Sequence, residues 1–189
     1  MHIPSQIGFD IDGVVTDTME AFLRIANIEY GITGITKEQI TSYWLEECLP
    51  IPEEIVDVII QRILHDPFGI DLKPIPGALE TLNQLGQKNK LIFVTARPVG
   101  EPIANWLKTQ LPEVDNSNIE VYATSTHAAK ANTLNSLNIT WFIEDHLETC
   151  KSLASHGIKT VLYDQPWNQG NAPFLRVKSW AEIKKLLSI

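Results

Sequence analysis

Five short apolar runs punctuate the chain: IGFDI at 7–11, LIFVT at 91–95, IEVYA at 119–123, WFIED at 141–145 and TVLYD at 160–164. Their apolar positions are nearly continuous rather than alternating, the pattern of parallel strands covered on both faces. Helix-type stretches at 98–110, 126–136 and 146–155 separate the later runs. Strand and helix therefore alternate, which predicts an α/β fold with a doubly wound, Rossmann-like parallel sheet. A further helix lies in PIPGALETLNQLGQKNK, 74–90, opened by Pro76 and closed near Gly86.

One gap breaks the alternation. Between residues 18 and 73 no strand is evident, and TMEAFLRIANIEYG, TKEQITSYWLEEC and PEEIVDVIIQRIL each have helical periodicity with a Gly or Pro near their ends. A crossover between parallel strands normally uses one helix. Three predict a small all-helical cap at 18–73 inserted into a core of 1–17 and 74–189. Asp17, Thr16 and Thr18 stand where the first cap helix needs its N-terminal cap.

Composition narrows the function. With 189 residues, 44% of them hydrophobic and 20% charged, the chain is long enough for a substantial core and is neither disordered nor membrane-spanning. Its formal charge is −8, from 15 basic and 23 acidic residues. A surface that holds duplex nucleic acid through its phosphates is thereby disfavoured, although a few local cations could still hold a small anion. The first residues carry neither a basic stretch nor a long apolar one, so no secretory signal is expected. Cys48 and Cys150 are too few for a disulfide framework, and a reducing cytoplasm is the default.

Chemistry-bearing residues gather where the strands end. Asp10 and Asp12 close the first run, Thr95 the second with Ala96 and Arg97 after it, and Glu144 and Asp145 the fourth. Open α/β sheets bind ligands outside the carboxyl ends of their strands. Convergent carboxylates without matching arginines call for a hard divalent cation, and Mg²⁺, which takes oxygen ligands and pairs with phosphate, suits them. Lys130, early in THAAKANTLNSL, could add a positive charge from the side, although Lys108 and Lys151 also lie in helices next to strands. Two-residue spacing places Asp10 and Asp12 on one side of the pleat. His127 and His146 fall near the expected crevice without metal-ligand spacing, and His2, His65 and His156 carry no signal.

DIDGVVTDT, the threonine ending LIFVTARP, a later helical lysine and the acidic pair of WFIEDH resemble, in order, the four motifs of the haloacid dehalogenase superfamily, with a C1-type cap after the first. The resemblance implies that Asp10 is a nucleophile forming an aspartyl-phosphate and that Asp12 is the general acid and base. It further implies that Thr95 and Lys130 stabilise the transferring phosphoryl group. Mg²⁺ would be held by Asp10, the Asp12 backbone carbonyl and Asp145, with Glu144 a second ligand or an outer acceptor. Dehalogenases of the superfamily lack the second aspartate, so Asp12 favours phosphate chemistry.

A narrower resemblance, carried by TARP, VLYDQPWNQG and LRVKSWAEI, is to the 5′(3′)-deoxyribonucleotidases. Val15-Thr16 and Trp167 depart from that family's commoner residues. The implied activity is Mg²⁺-dependent hydrolysis of a small phosphorylated metabolite, a nucleoside monophosphate first. Alternatives are another small phosphoester, a phosphosugar mutase suggested by the acidic pair, and a non-enzymatic binding module. Arg97 and Ala96 are assigned to substrate binding, although Arg97 could instead pair with a carboxylate at the domain boundary. Tyr43 and Trp44 could stack on a base or fill a helical core. A homodimer is left open.

Overall fold

The computed structural model describes residues 7–189; His2 lies outside them. Six parallel strands form one sheet: β1 (Gly8–Phe9), β2 (Leu91–Thr95), β3 (Ile119–Ala123), β4 (Trp141–Glu144), β5 (Lys159–Tyr163) and β6 (Leu175–Val177), in the order β3-β2-β1-β4-β5-β6. Helices α3 (Ala78–Gly86), α4 (Glu101–Gln110), α5 (Lys130–Ser136), α6 (Leu147–Ser155) and α7 (Trp180–Leu187) connect and cover it, behind α1 (Thr18–Tyr30) and α2 (Glu53–His65). Gly8 pairs with Ile92 on one side and Phe142 on the other, so β1 is central. The chain builds outward through β2 and β3, then returns to β4 on the far side of β1. That reversal opens a crevice at the carboxyl ends of β1 and β4.

The α/β prediction holds, with local differences. β1 is two residues rather than five, because the N–H groups of Val14, Val15 and Thr16 all turn back onto the Ile11 carbonyl. β3 lies at the sheet edge and is half-covered rather than buried on both faces. β6 was not foreseen: three residues of mixed polarity, LRV, carry too little periodicity.

Alternate residues of β2 divide the interior. Leu91 and Phe93 join a cluster with Phe9, Phe22, Trp106 and Trp180, while Ile92 and Val94 pack on the opposite face with Leu134, Phe142 and Leu153. The Phe9 and Trp180 rings stack at 5.7 Å. Each such side chain contributes about 1.5–3 kcal/mol by leaving water, and together they fix the strand ends from which the polar residues project.

Residues 18–73 contain α1 and α2, but 36–48 is not the helix expected. It forms two short 3₁₀ turns, Lys37–Gln39 and Leu45–Glu47. Local side-chain bonds compete with the helix here: the Thr36 N–H donates to Gln39 Oε1 at 2.8 Å, and the Ser42 hydroxyl bonds Glu47 at 2.6 Å while accepting the Trp44 N–H. Asp17 caps α1 as expected, accepting the Glu20 N–H; the hydroxyls of Thr16 and Thr18 do not, and turn to the Ile11 carbonyl and to Asp12. Outgoing and returning chain meet in a neck, where the Asp17 N–H donates to the Lys73 carbonyl and the Ile75 N–H to that of Val15. Among the described residues, no helix is long and apolar enough to cross a membrane.

Candidate active site

Asp10 follows β1, its N–H still bonded to the Ile143 carbonyl at 2.9 Å, which sets its carboxylate at the crevice mouth. Lys130, fully buried at the start of α5, lies 3.0 Å from Asp10 Oδ2 and 2.8 Å from Glu144 Oε2. Neither Lys108 nor Lys151 makes this contact. The Glu144 oxygens are both engaged, Oε2 by Lys130 and Oε1 by the backbone N–H groups of Asp145 and His146. Burial would raise the Glu144 carboxyl, but the Lys130 ammonium outweighs it and holds the group down at about 2. The same two carboxylates outweigh the burial of Lys130 and keep it charged.

For Asp10 and Asp145 the Lys130 charge, 3.0 Å from Asp10, is outweighed. Burial, reinforced by the neighbouring Glu144, pushes both carboxyls well above their ordinary range. One oxygen from each of Asp10, Glu144 and Asp145 lies within 4.8 Å of the others. Asp10 Oδ1 is buried without a hydrogen-bond partner. Three clustered carboxylates, two of them paired with one ammonium and one with an orphaned oxygen, suit a hard cation. At Gly13 (φ 72°) a Cβ would collide with the Asp145 carboxylate, so the turn after β1 must be glycine for the two strand ends to come this close.

Asp12, its side chain a quarter exposed, faces the same cavity and is bound differently. Arg97 grips it through two parallel bonds, Nε to Oδ2 and Nη2 to Oδ1, both 2.8 Å, and the Thr18 hydroxyl donates to Oδ1 at 2.6 Å. Burial would raise this carboxyl; the Arg97 charge and these hydrogen bonds hold it below the ordinary range. Of the two readings for Arg97, the carboxylate pair is the contact observed. Its third nitrogen donates to the Ile63 and Leu64 carbonyls near the end of α2, tying that helix to the strand ends. Thr95, buried, accepts the Arg97 N–H on its hydroxyl at 3.2 Å, and Ala96 lines the cavity beside it.

The cavity, about 390 Å³, runs from these groups to a wall of Met19, Tyr43, Trp44, Val56 and Ile60. Trp44 is 53% exposed. Tyr43 is fastened: one face stacks on His146 at 3.9 Å, and its hydroxyl bonds His127 Nε2 at 3.0 Å. Thr149 links the two imidazoles at 2.8 and 2.9 Å. Burial lowers both histidines, His127 to about 4, so both are neutral at pH 7. Their spacing in the sequence offers only a place near the crevice, and nothing in the sequence gives a role to Gln165, Trp167 and Asn168, whose side chains reach Gly13 and Asp145. Contacts between residues 22 to 152 positions apart leave no mark in a single sequence; only the DQPWNQG stretch itself stood out.

The family model described as "5′ nucleotidase, deoxy (Pyrimidine), cytosolic type C protein" matches residues 4–189. The chain belongs to this family. It is a phosphatase of the haloacid dehalogenase type, as the four ordered motifs implied. No curated protein matches significantly. Among solved structures, a haloacid dehalogenase superfamily hydrolase from Ehrlichia chaffeensis is 16% identical, covering 100% of this chain and 98% of that one, with a TM-score of 0.59. One from Geobacter sulfurreducens is 19% identical over 96% and 95%, at 0.61. Another from Deinococcus radiodurans, solved with bound phosphate and sodium, is 17% identical over 98% and 95%, at 0.57. At these identities the likeness shows the fold, and the nucleotidase family shares it.

Proposed function

We propose that the protein is a cytoplasmic, Mg²⁺-dependent 5′-nucleotidase that hydrolyses (deoxy)ribonucleoside monophosphates through a phosphoryl group carried on Asp10. The observation that carries this reading is the Asp10 carboxylate: held at Oδ2 by Lys130, unpartnered at Oδ1, and facing a cavity that also contains Asp12 and Thr95. Asp10 and Asp145, with the Asp12 carbonyl, would hold the cation; Glu144, with both oxygens occupied, stands outside and fixes Lys130. Bound there, Mg²⁺ supplies positive charge for the phosphoryl oxygens.

In the first step an Asp10 oxygen attacks phosphorus as the ester P–O bond breaks, and the leaving oxygen takes a proton through Asp12, which must draw that proton from solvent because its own carboxyl rests ionised. In the second, water attacks the same phosphorus, Asp12 takes its proton, and the bond to Asp10 breaks to release phosphate. Ionised and held by Arg97 and Thr18, Asp12 has here the form that accepts the water proton. Thr95 and Lys130 offset charge on the phosphoryl oxygens. Residues 18–73 act as the cap over the site, and on that wall Trp44 has the exposed ring available to a base, whereas Tyr43 secures the wall to the core.

Phosphate release should be measured across nucleoside monophosphates, sugar phosphates and p-nitrophenyl phosphate, with Mg²⁺ and with excess chelator. Nucleoside monophosphates are expected to give the highest kcat/KM, with activity lost in chelator and restored by Mg²⁺. Undiminished turnover in chelator would remove the metal; a clear preference for sugar phosphates would remove the nucleotide.

A further inference from the structure

The Asp164–Gly170 stretch, prominent in the sequence but without a step in the reaction, wraps the back of the site. Gln165 Nε2 donates to the Gly13 carbonyl at 2.6 Å, and Asn168 Nδ2 donates to the Asp145 carbonyl at 2.6 Å and to that of Tyr163 at 2.8 Å. Arg176 on β6 locks the stretch in turn, bonding Asp164 and the Asn168 side-chain oxygen, each at 2.7 Å. From this frame Trp167 extends, and its indole N–H donates to Asp145 Oδ2 at 2.9 Å. One stretch of chain thus holds both loops that bring carboxylates to the crevice.

We propose that Trp167 is a positioning residue for the cation: its N–H occupies Asp145 Oδ2 and thereby presents the other oxygen of that carboxylate as a single, fixed ligand. This rests on the Mg²⁺ reading above. Mg²⁺ demands a nearly regular octahedron and takes one oxygen per carboxylate. A carboxylate free to rotate, or to offer both oxygens, meets that demand poorly, and outer donors that fix a ligand are worth about 10- to 100-fold in metal affinity. The site is also sterically closed against rotation. A Cβ at Gly13 would collide with Asp145 Oδ2 and approach the Trp167 ring, so carboxylate, glycine and indole are in mutual contact. Lys37 lies over the outer face of the ring, 5.9 Å from its centre, while paired with Asp17 at 2.8 Å. The indole therefore has Lys37 of residues 18–73 over its face and the Asp145 carboxylate at its N–H edge.

Trp167→Phe keeps an aromatic ring and deletes the donor. The test follows thermal melting of the native protein and of this variant across a Mg²⁺ titration, without substrate. The native protein should be stabilised by Mg²⁺; the variant should melt similarly in chelator but need about 10- to 100-fold more Mg²⁺ for half the shift. Equal Mg²⁺ requirements would overturn the proposal, as would a variant that is merely less stable with its Mg²⁺ response intact. A second measurement uses the unaltered, ¹⁵N-labelled protein: the Trp167 indole resonance, identified through space by its neighbours Lys37 and Gly13, should shift on Mg²⁺ addition. An indole resonance indifferent to Mg²⁺ in a protein that Mg²⁺ stabilises refutes the positioning role while leaving the nucleotidase reading intact. A native protein with no response to Mg²⁺ refutes both.

Discussion

At the strand ends, Asp10, Lys130, Glu144 and Asp145 are at most 5% exposed, and nearly every polar atom is tied to another. Across the cavity, residues 36–48 run in short turns, Trp44 is half in solvent, and the wall is chiefly apolar. The difference follows from what each must touch. A phosphoryl group is the same in every substrate and is served by fixed charges in a water-poor place; the remainder of a substrate varies and is met by rings and aliphatic surface. On the proposed reading, chemistry and choice fall to different stretches of chain, joined at Arg97 and Tyr43.

If that division holds, the largest effect belongs to Asp10. Asp10→Asn should reduce phosphate release to the detection limit for every substrate, with no labelled phosphoenzyme trapped; activity on any substrate would break the division at its root. Lys130→Met should be costly to the fold itself, about 3–5 kcal/mol, because it leaves the Asp10 and Glu144 carboxylates buried without their shared cation. Thermal melting in chelator reads this loss, and added Mg²⁺ should recover part of it.

Next in size comes Asp12→Asn, expected to lose about 10² to 10⁴ in rate. The loss should be smaller for p-nitrophenyl phosphate, whose leaving group needs little protonation, than for an alkyl ester. Equal losses on both would deny Asp12 the acid role. Trp44→Ala sharpens the other side of the comparison. Stacking on a base is worth ~1–3 kcal/mol, so kcat/KM for nucleoside monophosphates should fall about ten- to a hundredfold while p-nitrophenyl phosphate is spared. A parallel fall on both substrates with a lower melting temperature would place Trp44 in the core instead.

Smallest is the effect of His127, which fastens Tyr43. Its folded pKa, about 4, lies below the ordinary 6.5, so between those values the unfolded chain binds the proton and the folded one does not. Stability should consequently decline as pH falls through that window. His127→Gln removes the titration, and its melting temperature should decline less over the same range; an unchanged acid slope would contradict a buried neutral His127.

Much of this was legible before the structure. Five of the six strands were visible as nearly unbroken apolar runs because a parallel sheet covered on both faces leaves few polar positions, and the acids were visible because they stand where those runs stop. Residues 36–48 misled because helical periodicity says nothing of Gln39 and Ser42 turning back onto nearby backbone. The Arg97 pair with Asp12 was one of two readings, and only geometry chose. Trp167, Asn168 and the His127–Thr149 bond depend on segments brought together only by folding, for which spacing along the chain gives no clue.

The neck at Asp17 and Lys73 has a further consequence. Because the outgoing and returning chain leave the sheet side by side, bonded to one another, residues 18–73 form one closed loop covalently joined to the sheet at a single doorway, and their further contacts, at Arg97, His127, His146 and Trp167, are side-chain ones. A different sequence of almost any length could begin and end there without altering the order of a strand, since lengthening a loop whose ends already meet costs only about 0.6 kcal/mol per doubling. What such a graft would have to supply is an apolar underside for the sheet and two carbonyls for Arg97. The doorway makes the fold a socket, and on the proposed reading the reacting carboxylates belong to the socket rather than to the fitting.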